Sequence, residues 1–301
     1  MAKRDAGMSQ KTEKPSGFTV RLFLPSGDPE GVKVIEKSNW TGIGLVIPRS
    51  LYGEERVRKP LHQGAGVYVL VGNDEDSSFP RVYIGEGDPV GPRLDQHAKN
   101  KDFWTHAVIF TSKDQNLNKA HVQYLEYRLV TLAQMAKRSI LDNGNIPQSP
   151  SLSEADISES EGFLSNMLLC FPVLGYGLFE VIEALHHGTT ELFLESKNVK
   201  ARGYESSGGF IVRKGSQVVR KEVRSIHPYL QDLRKSLLER GVLVEKGDIF
   251  ELVQDYAFGS PSTAAGMLLG RSANGRMEWK DKDGRTLKSL QEGEVSHAPK
   301  F

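Results

Sequence analysis

Five side chains between residues 66 and 145, close together in the chain, have the types that phosphodiester hydrolysis can use. Tyr68 closes the string Gly66-Val67-Tyr68, Tyr83 opens Tyr83-Ile84-Gly85, Arg93 and His97 stand four apart, and Glu126 follows. Cleaving a phosphodiester needs a cation to neutralise the developing charge, a base to activate water and donors that hold the scissile group. Two phenols, a guanidinium, an imidazole and a carboxylate cover those needs. Singly, each has an ordinary explanation: a strand tyrosine packs half-buried, an arginine and a histidine decorate an exposed helix face, and a glutamate pairs at the surface. The ordered set within one short unit is what points to chemistry.

The elements that would position these groups are legible as a β-β-α-β-α succession. Strands are expected over Val67–Val71, Arg81–Gly85 and Trp104–Thr111, with helices over Pro92–Ala98 and Leu117–Lys137. If the two tyrosine strands pair, both phenols project from neighbouring positions of one sheet. Arg93 and His97 share a helix face. In the long helix Val122, Leu125, Leu129, Leu132 and Ala136 form the buried stripe, and Glu126 stands at its edge, where a carboxylate wants a partner. The stretch Asp142-Asn-Gly-Asn-Ile-Pro ends that helix. Other groups read as structural. His121 lies about 140° around the helix from Glu126, Trp104 and His106 share a strand face, and His186-His187 have no ligand-spaced companions. Gly85-Glu-Gly-Asp lacks the Lys-Ser/Thr of a Walker phosphate loop.

The arrangement resembles the GIY-YIG nuclease superfamily, whose pattern is two tyrosine-bearing strands, an Arg-x-x-x-His helix and a later helix with one metal-binding glutamate. The resemblance spans residues 66 to 145. It implies that Tyr68 is the base or orients water and that Tyr83 orients water or phosphate. It further implies that Arg93 clamps the phosphate and that His97 assists proton transfer or holds a phosphate oxygen. Glu126 would ligate one Mg2+ or Mn2+, since a hard cation held by one carboxylate, waters and phosphate oxygens needs no cage. An asparagine that contacts substrate often follows the last helix of the family; Asn143 is preferred here over Asn145. Val67 replaces the usual isoleucine, a swap between β-branched residues. The loop between the tyrosines is long and acidic, with Asp74, Glu75 and Asp76 expected to point away from the phosphate.

Residues 1–16 read as a flexible tail, 17–61 as a β-rich segment and 62–147 as the nuclease domain. An acidic linker and connector helix capped by Ser153 follow over 148–200, then an α+β module over 201–292 and a tail over 293–301. In the module a hairpin is expected over Phe210–Val219, a helix near Tyr229–Arg240, a hairpin over Leu243–Leu252 and a helix opened by Ser260-Pro261. An Asn274-Gly275 turn should then lead into a final strand pair closing at Asp283-Gly284. The string from Ser260 to Lys280 resembles an uncharacterised module that often follows GIY-YIG domains and is similar to a domain of restriction-associated proteins thought to touch DNA. That resemblance implies phosphate contacts from Arg271, Arg276 and Lys280; the alternative is that they decorate a small packed domain. Arg276 stands where the module usually has tryptophan, and Trp279 is expected to pack the core.

The expected class is therefore α+β. At 301 residues with 38% hydrophobic and 26% charged composition the chain can build two or three cores. The net charge of +1 by itself argues neither for nor against nucleic acid, but flanks only mildly basic on either side of an acidic connector predict weak unspecific affinity. No membrane span and no secretory leader are expected, the one cysteine, Cys170, reads as a buried thiol, and a reducing cytoplasm follows. No small-molecule cofactor is evident. The functional expectation is a metal-dependent DNA endonuclease of restriction, repair or defence; the alternative is a nucleic-acid-binding or regulatory protein that uses the fold without cleaving.

Overall fold

The computed structural model describes residues 17–54, 57, 61, 63–74, 79–114, 116–180, 189–196, 199–206, 208–224 and 226–297. The expectations for the 1–16 tail, for Glu75 and Asp76, and for His186-His187 lie outside the described residues. The protein is mixed α+β, with three sheets among the described residues.

Val67, Val69 and Val71 alternate with Tyr68 and Leu70, so strand β4 (Gly66–Asn73) must be covered on both faces and lies inside its sheet. β5 (Pro80–Gly87) and β6 (Trp104–Ser112) flank it, both antiparallel. Helices α1 (Gly91–Asn100) and α2 (Lys119–Ala136) complete the expected succession. The expected three-stranded sheet is exceeded. β1 (Val20–Phe23), β2 (Lys33–Lys37) and β3 (Gly42–Pro48) join on one side and β7 (Ile140–Leu141) on the other, giving the order β1-β2-β3-β6-β4-β5-β7. The β-rich start of the chain is thus part of the same sheet. β3 runs along β6 from Gly42 opposite Ser112 to Pro48 opposite His106, and it covers a backbone edge that β6 would otherwise leave bare beside its apolar Ala107–Phe110 run.

The two faces of this sheet have separate cores. Val67, Val69, Val71, Val82, Ile84, Val108 and Phe110 lie under α2 and under α3 (Glu154–Val173), whose expected cap Ser153 accepts from the Asp156 amide. Cys170 is buried in that layer, and burial pushes its thiol up to about 11. The opposite face carries Tyr68, Leu70, Ala107 and Ile109 beneath Leu94 of α1 and Tyr52.

The C-terminal region contains a four-stranded sheet, β14-β10-β9-β8, made of β8 (Leu192–Ser196), β9 (Val199–Ser206), β10 (Gly209–Val212) and β14 (Tyr256–Phe258). Its first strand begins at Leu192, inside the stretch read as connector. A second sheet orders β11 (Gln217–Val219), β13 (Ile249–Leu252) and β12 (Leu243–Lys246). The hairpin expected over Phe210–Val219 does not form: both edges of β10 are taken by β9 and β14, so the chain turns through Gly215 and starts β11 in the other sheet. Helices α4 (Pro228–Glu239) and α5 (Pro261–Leu269) form as expected, the latter capped by the Ser260 hydroxyl. The Asn274-Gly275 turn is instead a helix start. The Asn274 side chain accepts from the Arg276 amide and opens α6 (Gly275–Glu278), and the final strand pair shrinks to bridges from Lys280 to Phe193 and to Thr286 before α7 (Leu287–His297). Gly275 is there for proximity, since a Cβ would stand 2.1 Å from the Pro261 carbonyl carbon. Trp279 is fully buried, donates to the Pro261 carbonyl at 3.1 Å and packs against Phe210.

The seven-stranded sheet and this module share a junction. Phe79, just before β5, belongs to the module's core, beneath the Arg240 guanidinium at 4.1 Å and beside Tyr256. Arg240 donates to the Ser139 carbonyl and Lys137 to the Gly241 carbonyl, both across the junction. Among the described residues no helix is long and apolar enough to cross a membrane.

Candidate active site

Register decides which side chains meet. Tyr68 pairs with Gly85 and Leu70 with Tyr83, so the phenols lie diagonally on one face, with ring centroids 6.3 Å apart. α1 lies over that face and inserts His97, whose ring is 4.5 Å from Tyr83 and 5.8 Å from Tyr68. Gly85 makes room for the first phenol: a Cβ there would stand 2.4 Å from the Tyr68 hydroxyl.

Two atoms of this cluster are buried with no hydrogen-bond partner among the described residues, the Tyr68 hydroxyl and His97 Nε2. Buried polar atoms are nearly always paired, because stranding one costs about 1–3 kcal/mol, and unpaired ones concentrate where a ligand or water is handled. Burial holds the Tyr68 phenol well above the usual tyrosine range, with the Tyr83 phenol adding to the shift and Arg93 opposing it; Tyr83 is raised as well, first by burial and then by Glu126. Both are neutral donors at ordinary pH. Burial, with the Lys101 and Arg93 charges, pushes the His97 imidazole down to about 4, so it is a neutral ring.

Arg93 sits on the exposed side of α1, its stem against Gly87. Among the described residues its guanidinium makes one long hydrogen bond, to Gln96 at 3.4 Å, which leaves the planar fork otherwise unengaged by them. Glu126 lies on α2, and its charge acts on both phenols. Burial and the Glu86 carboxylate push Glu126 up to about 7. Glu86 itself is held by Lys119 at 2.5 Å. Glu126 makes no hydrogen bond or ion pair among the described residues.

Among the described residues no group of three or more His, Cys, Asp or Glu side chains is placed to hold a metal ion. The donor chemistry fits a looser mode. A half-buried carboxylate without a partner, pressed by a second carboxylate, is short of positive charge, and a hard divalent ion can be held by one such group with water and phosphate oxygens.

Asn143 departs from its expected place as a substrate contact. Its amide grips the strand instead, accepting from the Ile84 amide at 3.0 Å and donating to the Ile84 carbonyl at 2.7 Å, which fixes β5 between Tyr83 and Gly85. Asn145 is exposed. Asp74, from the acidic loop, pairs with Arg81. His121 binds Asn116 and Asp156 away from Glu126. In the C-terminal module Arg271 pairs with Glu278 at 2.8 Å, Arg276 donates to Gln291 at 2.7 Å and the Lys280 side chain is exposed, so two of the three cations already serve neighbours.

Sequence reasoning missed Lys101, Asp142, Glu86 and the duty of Gly85. Lys101 follows His97 by four residues, which was its available signal. The others depend on register.

Comparison with known proteins bears on the other end of the chain. A family model described as Domain of unknown function (DUF4357) matches residues 192–291, a stretch that opens with β8 and closes in α7. No curated protein and no solved structure matches the chain.

Proposed function

We propose that residues 62–147 form a GIY-YIG-type nuclease centre that hydrolyses phosphodiester bonds in DNA with Mg2+ or Mn2+. One observation carries this reading: a fully buried phenol, Tyr68, whose hydroxyl has no partner among the described residues, faces a glycine across the sheet and lies within the field of a carboxylate that is likewise unpaired among them. A packing tyrosine would bury its ring and bond its hydroxyl. The Tyr68 phenol, kept protonated by burial, donates to a water or phosphate oxygen and orients it; Tyr83 does the same from the neighbouring position. The neutral His97 presents Nε2 as the acceptor for the proton that leaves water. Arg93 offers its open fork to two phosphate oxygens. Glu126 would hold the divalent ion, which supplies charge neutralisation at the phosphate when bound. The mildly basic C-terminal module, with 16 Lys/Arg against 12 Asp/Glu over residues 201–292, adds weak affinity for the backbone.

The test is plasmid nicking with Mg2+ or Mn2+, comparing the full chain with Glu126→Ala. Cleavage by the wild type and a loss on the order of 100-fold or more in the folded variant are expected. The reading is overturned if supercoiled, single-stranded and branched DNA all stay intact with either metal while binding persists without metal. That result belongs to a binding protein that uses the fold without cleaving.

A further inference from the structure

We propose that Lys101 is a positioning residue of this centre: its ammonium, anchored by Asp142, lies against the face of Tyr83 and holds that ring beside His97. The inference rests on the nuclease reading for its kinetic consequence and on geometry for its substance. Lys101 is the first residue past α1, and its amide closes the helix on the His97 carbonyl. Arg49 donates to the Lys101 and Ala98 carbonyls while stacking on Trp104 at 4.7 Å, which ties the helix end to the sheet. From that fixed root the ammonium reaches 4.4 Å from the Tyr83 centroid and 2.5 Å from the Asp142 carboxylate.

The other side of the clamp is equally determined. The Asp142 amide donates to the Val82 carbonyl at 2.7 Å, and Asn143 bonds both backbone groups of Ile84. Two consecutive residues therefore bracket Tyr83 on its own strand, and the carboxylate of the first aims the lysine at its ring. Arg81 shares that carboxylate at 3.7 Å. A lysine meant for phosphate would keep its head in water; this one is about one-fifth exposed and spends its charge on a carboxylate and a π face. Its charge also discourages protonation of His97, together with Arg93 and against Asp142, while the Tyr68 and Tyr83 rings wall in the imidazole.

Lys101→Met is expected to lower kcat for plasmid nicking on the order of 10- to 100-fold with KM unchanged, because small misplacements of reacting groups cost that much. Lys101→Arg should restore most of the rate and Asp142→Asn should reproduce the loss, whereas Lys99→Met, on the exposed side of α1, should leave the rate alone. A second readout needs no activity: in protein grown on 3-fluorotyrosine, the Tyr83 fluorine signal, assigned by its disappearance in Tyr83→Phe, should shift in Lys101→Met and stay in Lys99→Met. A raised KM with unchanged kcat and a weaker salt dependence would make Lys101 a phosphate contact and overturn the proposal. An unmoved fluorine signal overturns it too. If the wild type cleaves no DNA, the nuclease reading falls, and the fluorine signal alone decides the role of Lys101.

Discussion

The two halves of the molecule treat buried polar groups in opposite ways. In the region matched by the family model, Arg234 is 1% exposed, yet it bonds Glu222 and the carbonyls of Met267 and Val219; Trp279 and Asp281 are likewise engaged. Its one stranded buried atom among the described residues, on Arg240, faces the junction. In the seven-stranded sheet region six buried atoms have no partner among the described residues: Trp40, Trp104, Ser139 and Ser160 hold one each at scattered places, and Tyr68 and His97 bring two together in one cluster. A module that satisfies its interior is spending its polar residues on shape. On the proposed function, the Tyr68 and His97 atoms are left open for a substrate or water that comes and goes.

Four measurements sharpen or break that contrast. Arg234→Ala, which abandons the Glu222 carboxylate and two carbonyls, should cost about 3–5 kcal/mol in denaturant unfolding. A cost below about 1 kcal/mol would mean that the arginine does not organise the module. Phe79→Ala should cost about 3 kcal/mol, since it empties an aromatic site between the two regions. Calorimetry should show the cost in both regions, and two separate transitions with only one shifted would show the junction to be loose.

On the site side the signs reverse. The folded protein holds the Glu126 proton up to about 7, above its ordinary 4.5, so it binds more protons than the unfolded chain between those values and its stability falls as pH rises through them. Glu126→Gln should therefore raise stability by roughly 2 kcal/mol at pH 8 and by nothing near pH 4. Mg2+ should stabilise the wild type at pH 8 and leave the variant unmoved. A variant less stable at pH 8, or one that still responds to Mg2+, breaks the idea of a carboxylate short of positive charge. Smallest is Tyr68→Phe, which removes the stranded hydroxyl. It should be neutral or stabilising by up to about 1 kcal/mol while nicking falls, and a clear destabilisation would reveal a partner for that oxygen.

Local signals carried much of the fold. The tyrosine strands, the stripe of α2 and the Ser153 and Ser260 caps were all legible, because each depends on neighbours within a few residues, and the burial of Trp279 followed from its residue type although its partners Pro261 and Phe210 are distant. What escaped was long-range. Nothing near Gly42–Pro48 says that its partner is a strand almost sixty residues on, and nothing near Gly215 says that both edges of β10 are taken. The site followed the same division. The spacing of Arg93 and His97 placed them on α1, but only the register of β4 and β5 sets Gly85 beneath the Tyr68 hydroxyl, and only the course of the chain after α2 brings Asp142 to Lys101 and Asn143 to Ile84. Asn143 was singled out by type, and its observed partner is backbone because β5 needed a clamp.

The junction at Phe79 has a practical corollary. A fragment ending before Leu192 would uncover an aromatic ring, the side chain of Ile140 and the amine of Lys137 at a surface shaped to receive another domain. Such a truncation is a poor minimal unit for biochemistry: it would carry a sticky scar directly upstream of the strand that bears the second tyrosine. Purification should keep both halves in one polypeptide.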